Sequence, residues 1–90
     1  MTKYEVFEAF LSNISRHKKT GNRAFLFVAE TLVKQFKEAE GTMDNGAVNI
    51  FCDMYDACRY AREGELDKCM KTVSTAMLRN SSIFCKRSNN

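Results

Sequence analysis

Ninety residues with 44% apolar and 28% charged side chains describe one globular domain of modest stability, since a chain this short withdraws only about 60 to 65% of its unfolded surface from water. Those proportions exclude the low-hydrophobicity, high-charge signature of disorder, and a net charge of +3 is too small to mark a nucleic-acid binder by itself. With no proline and only four glycines, the chain lacks the frequent turn residues of strand-rich domains, which points to long helices.

The first element opens on Thr2-Lys3-Tyr4-Glu5, the spacing of a capping box, in which threonine oxygen and glutamate carboxylate each accept a backbone N–H at a helix start. Val6, Phe7, Phe10, Leu11 and Ile14 then recur at three- and four-residue intervals, predicting a helix over about residues 3–15. A polar connector, RHKKTGNR, follows. The second helix, over residues 24–39, places Phe25, Val28, Ala29, Leu32, Phe36 and Ala39 on one face, widened by Leu26, Phe27 and Val33. Glu30 with Lys34 and Lys34 with Glu38 stand at i,i+4 on its outer side, and Gly41 is placed to end it. After a GTMDNG loop with Asp44 or Asn45 as cap, a third helix over residues 47–62 aligns Ala47, Phe51, Met54, Cys58 and Ala61, with Val48, Cys52 and Tyr55 beside them. Gly64 stops it. A fourth helix over residues 65–79 carries Leu66, Cys69, Met70, Val73, Ala76 and Met77. Asn80-Ser81-Ser82 should break it, Ile83-Phe84-Cys85 reads as a short apolar plug, and residues 86–90 as a frayed basic tail.

Tyr60, Gly64, Leu66, Cys69, Val73 and Ala76 together resemble the later two-thirds of a tetratricopeptide repeat, in which a glycine turn separates two helices packed through small residues. The resemblance covers about a fifth of the chain and has no second copy at a period near 34 residues. It implies an antiparallel helical hairpin and no binding residues. The fold class expected is therefore all-α: a small four-helix, bundle-like single domain over residues 1–85, with a C-terminal helical hairpin and a short basic tail over residues 86–90.

No apolar run reaches the roughly 18 to 20 residues that span a bilayer, and MTKYEVFEAF lacks the basic region, apolar core and cleavage site of a signal peptide. A cytoplasmic location without a membrane partner is expected, with Cys52, Cys58, Cys69 and Cys85 as thiols; in a small secreted chain, four cysteines would instead suggest two disulfides. Cys52 and Cys58 lie about 120° apart around a helix and do not readily share a metal ion, and Cys58 and Cys69 sit in apolar stripes where cysteine serves as a small hydrophobe. Cys85 differs because Lys86 beside it would favour the thiolate. The single histidine, His17, stands in a polar run, and no nucleophile-elbow, Walker, dinucleotide or zinc-protease pattern occurs. Asp53, Asp56, Arg59 and Arg62 read as an exposed face of ion pairs rather than a divalent-metal site. Neither enzyme activity nor a cofactor nor a metal is expected.

Charge is polarised along the chain. Residues 1–40 carry seven Lys/Arg and five Asp/Glu, residues 41–67 two and six, and residues 68–90 five and none, so an acidic middle of −4 separates basic ends of +2 and +5. The segment Arg16, His17, Lys18, Lys19, Thr20, Gly21, Asn22 and Arg23 has two readings. It is either a solvated turn whose cations meet a helix C-terminus, or a partner or anion contact in which backbone N–H groups at the next helix entrance join Lys18, Lys19 and Arg23. Lys68, Lys71, Arg79, Lys86 and Arg87 form a secondary basic surface. The function expected is that of a non-enzymatic helical binding protein, a regulator or inhibitor that occupies a macromolecular partner, foremost a protein. Small motif-free chains of this sort are frequent among phage and other viral accessory proteins directed at a host enzyme or defence system. RNA or DNA binding through the two basic segments is the alternative, with Tyr4 and Tyr60 as the stacking groups left outside the core stripes. The wide apolar girth of the second helix also suggests a homodimer.

Overall fold

The computed structural model describes residues 1–81. Its four helices are α1 (Lys3–Thr20), α2 (Arg23–Glu38), α3 (Asn45–Arg62) and α4 (Leu66–Asn80), and no strand occurs among the described residues, so the domain is all-α as its periodicity predicts. Ile83-Phe84-Cys85, Lys86, Arg87 and the rest of the basic tail lie outside the described residues.

The α1 start carries the capping box: Thr2 Oγ1 accepts the Glu5 N–H at 3.1 Å, and Glu5 Oε1 accepts the Thr2 N–H at 2.9 Å. These bonds, the backbone one first, hold the Glu5 carboxyl below its ordinary range. At the other end α1 continues five residues beyond the expected stop near residue 15. The core spacing continues too, because His17 follows Ile14 by three residues and is buried. Gly21, in the left-handed region at φ 69°, ends the helix and donates its N–H to the His17 carbonyl at 2.8 Å. Asn22 caps α2 directly, accepting the Ala24 N–H at 2.9 Å, so two residues reverse the chain.

Asp44 caps α3 through the Ala47 N–H at 2.9 Å. The α3 exit is a Schellman turn: Gly64, at φ 80°, donates to the Ala61 carbonyl at 3.1 Å and Glu65 donates to that of Tyr60 at 2.9 Å. The α3/α4 hairpin implied by the tetratricopeptide resemblance is present. The two hairpins, α1/α2 and α3/α4, are the most intimate pairs; they join chiefly through α2 against α3, while α1 only grazes α4.

All four helices contribute to one core. Phe7, Phe10, Phe36, Ile50 and Met54 are fully buried at its centre, with Val6, Ile14, Leu32, Val33 and Val73 around them. Several expected core positions differ. On α3 the buried stripe is rotated toward Ile50 and Ala57, which leaves Val48, Cys52 and Tyr55 exposed and Phe51 half-buried. On α2, Phe27 and Val28 are exposed and Phe25 is half-buried, and on α4 Met77 faces outward. Pattern alone marks an apolar arc; which part of it is covered depends on where the neighbouring helix lies.

Lys3, at the first position of α1, is only 2% exposed. Its ammonium donates to the carbonyls of Ala39 at 2.6 Å and Gly41 at 3.2 Å, and lies 5.9 Å from the centre of the Phe36 ring. Backbone bonds from Lys3 N to Glu40 O and from Glu40 N to Met1 O reinforce this seam between the start of α1 and the end of α2. Replacing Lys3 with Met keeps the alkyl volume and removes both donors, so the variant should lose about 2 kcal/mol of stability and melt about 8 to 15 °C lower, as measured by thermal circular dichroism.

Candidate functional site

Where α2 lies against α3, the helices leave a groove of about 350 Å³. Phe51, Tyr55, Cys58 and Arg62, spaced by four, three and four residues, form one straight stripe along α3 and line it on that side. From α2 come Phe27, Glu30, Thr31 and Lys34, with Val33 beneath. Phe27 is 72% exposed and Tyr55 59%, far more than aromatic rings in a packed interface would be. The groove is apolar but not empty of charge. Arg62 reaches across from α3 to pair with the Glu30 carboxylate, and this hydrogen bond, more than the attraction of opposite charge, pushes the guanidinium pKa further up. Glu30 therefore does not pair with Lys34 as its i,i+4 spacing suggests, and Lys34 has no ion pair among the described residues.

Cys58 forms part of the groove lining, but its thiol is pushed up to about 12, first by burial and then by Glu30 and Cys69. Burial raises Cys69 as well, partly offset by Lys18 of α1. Both are neutral, unreactive thiols at physiological pH and act as small apolar groups.

The second surface is the end of the bundle where α1 stops and α2 begins. Arg16, Lys18, Lys19, Thr20, Asn22 and Arg23 are exposed there, and none of the four cations has an ion pair among the described residues. Arg16 does rest its guanidinium 5.8 Å from the Phe25 ring. His17 differs from the rest of its run: it is buried, with Nδ1 3.2 Å from the Asn22 carbonyl, so it braces the turn and offers nothing to a partner. Four of the turn's amides are also occupied. Gly21 bonds His17, Asn22 N–H donates to Thr20 Oγ1 at 3.1 Å, and Ala24 and Phe25 both donate to Asn22. What this end presents is cationic side chains, without a free amide cradle at those four positions.

The basic residues farther along the chain are largely engaged. Lys68 pairs with Glu65 at 3.3 Å, and Arg79 reaches Asp53 across the hairpin at 3.1 Å, so Arg79 belongs to a cross-helix pair rather than to a free basic surface; Lys71 is exposed. Asp56 pairs with Arg59 at 3.8 Å, and Arg59 also approaches Glu63. All four of Asp53, Asp56, Arg59 and Arg62 are ion-paired, but not as one exposed face: Asp53 is half-buried and pairs with Arg79 of α4, and Arg62 pairs with Glu30 of α2. At the groove, Phe27 and Tyr55 are exposed although the apolar pattern assigns both to core faces. The signal that could have found them is the width of the apolar arcs on α2 and α3. Neither protein-family models nor the curated proteins and solved structures offer a match to this chain.

Two outcomes follow from these environments. With Cys85 replaced by serine, Ellman's reagent should titrate Cys52 rapidly and Cys58 and Cys69 only as the protein unfolds. Burial raises the Asp53 carboxyl despite Arg79, so ionising it costs the folded state more than the unfolded one, and its penalty appears as pH climbs through that raised value. Urea titrations of Asp53→Asn and the parent at pH 3 and pH 6 should therefore find the variant gaining relative stability at the higher pH.

Proposed function

We propose that this protein is a non-enzymatic binding module that regulates or inhibits a partner protein by occupying it. The observation that carries the reading is the apolar α2/α3 groove with Phe27 and Tyr55 projecting at its edges. Exposed aromatic anchors beside a concave apolar surface are what a protein interface uses to desolvate a partner, and aromatic residues recur among those that dominate binding energy. The unpaired cations at the α1/α2 end add a positive field that speeds encounter with an acidic surface without adding much to the final affinity.

A second reading, binding to RNA or DNA, has one specific observation in its favour: Arg16, Lys18, Lys19 and Arg23 are exposed together, and Phe27 and Tyr55 add stacking faces that the sequence pattern assigned to the core.

Affinity purification from the source cells with three baits separates the two. Wild type should retain a discrete protein at fixed stoichiometry; Phe27→Ser with Tyr55→Ser should lose it, and Lys18→Ala with Lys19→Ala and Arg23→Ala should retain it at reduced yield. Retention of bound nucleic acid, with loss of the three cations lowering the salt slope by about 2 to 3, would transfer the assignment to the second reading. A protein partner indifferent to Phe27 and Tyr55 would remove the groove from the account.

A further inference from the structure

We infer that the α2/α3 groove receives an acidic amphipathic helix of the partner protein; this rests on the protein-binding reading and adds to it the chemistry of the segment that docks. Two packed helices with a trough between them offer the ridge-and-groove surface onto which a third helix packs at an interaxial distance of about 8 to 10 Å. The charge along this trough decides which helix. Arg23, Phe27 and Lys34 are separated by four and seven residues, so they share one flank of α2, with the aromatic ring between two cations about 16 Å apart along the axis. Neither cation has an ion pair among the described residues, whereas the carboxylate between them, Glu30, is already bound by Arg62. The charge without an ion pair is therefore positive at the Arg23 end, net positive at the other end, where Lys34 and Lys37 outnumber the exposed Glu38, and compensated in the middle. A helix that places apolar side chains over Phe27 and Tyr55 and two carboxylates on one face, eleven residues from each other, meets Arg23 and Lys34 together.

The same arrangement disfavours the other occupants. A second copy docking about a two-fold axis through the groove would bring Arg23 of one molecule against Lys34 of the other, a like-charge contact at each end. A nucleic-acid backbone carries its phosphates at closer intervals than the about 16 Å between Arg23 and Lys34, and would meet the apolar ring of Phe27 between them.

The probe is an acetylated, alanine-based helical peptide of 18 residues with two glutamates eleven positions apart and Leu and Phe at three- and four-residue spacing between them; its control carries lysine at both glutamate positions. Fluorescence anisotropy should give the acidic peptide about a tenfold lower Kd than the lysine peptide, the order set by turning two exposed attractions into repulsions. Arg23→Glu with Lys34→Glu should invert the preference, and Phe27→Ser should weaken both peptides; far-ultraviolet circular dichroism checks that these exposed substitutions leave the helices intact. Equal affinity for the two peptides, still dependent on Phe27, overturns the acidic assignment and leaves the groove a protein-binding surface. Binding that ignores both Phe27→Ser and Tyr55→Ser, or no binding at all, overturns the inference at this groove. So do a wild-type dimer in sedimentation that Phe27→Ser dissolves, and displacement of the acidic peptide by a twelve-residue oligouridylate.

Discussion

The arrangement of this domain depends on α2 serving two neighbours at once. Its buried residues Leu26, Ala29, Leu32, Val33 and Phe36 cover an arc wide enough to meet α1 on one flank and α3 on the other, and without it the two hairpins would share almost no surface, since α1 only grazes α4. A core built this way tolerates little error in the helix's position, because interiors are packed to crystal-like density and Phe36, Phe7, Phe10, Ile50 and Met54 have no exposed surface to trade. Three devices hold α2 in place. Gly21 and Asn22 reverse the chain in two residues, the buried His17 braces that reversal from α1, and Lys3 ties the opposite end to the carbonyls of Ala39 and Gly41. With both ends of the α1/α2 hairpin closed, α2 has no freedom to rotate Phe27 inward.

The groove is a consequence of the same constraint. If α2 leans toward α1, its contact with α3 is left less complete, and the stripe Phe51, Tyr55, Cys58 and Arg62 looks onto open space instead of onto a neighbour. The Glu30–Arg62 pair bridges the gap electrostatically without filling it. Exposed ion pairs of this kind add little stability, so its contribution is to neutralise the one carboxylate in the trough rather than to hold the helices together. The apolar surface that results is what the proposed partner would cover.

The helix count, the capping box at Thr2 and Glu5, the Asp44 cap and the Gly64 turn were all legible because each is local: a few residues of side-chain chemistry decide it. The end of α1 was not, since Arg16, Lys18 and Lys19 look like a connector although Phe7, Phe10, Ile14 and His17 keep helical spacing straight through it. Lys3 was missed for a different reason. A cation in the first turn opposes the helix dipole, a local conflict whose resolution lies 36 residues away at Ala39. The groove was hidden by its own residues: Phe27, Phe51 and Tyr55 are apolar and periodic, and periodicity cannot distinguish a ring covered by a neighbouring helix from one left facing a trough.

Charge shows how much folding changes what a linear reading suggests. Along the chain, an acidic middle stands apart from a basic C-terminal quarter; in the structure the two are brought together, Asp53 with Arg79 and Glu65 with Lys68, while Asp56 and Glu63 draw on Arg59. Those pairs cancel most of the field that the polarised sequence implies for the α3/α4 hairpin. Among the exposed cations without an ion pair among the described residues, Arg16, Lys18, Lys19, Arg23, Lys34 and Lys37 are on the α1/α2 hairpin and Lys71 is on α4; Arg23 and Lys34 flank Phe27. Exposed charges separated by more than a Debye length act independently at physiological salt, so the bundle end and the groove need not contact the same group of a partner. On the proposed reading, the cations at the bundle end would orient an acidic partner at long range, and desolvation of Phe27 and Tyr55 would then determine how long it stays.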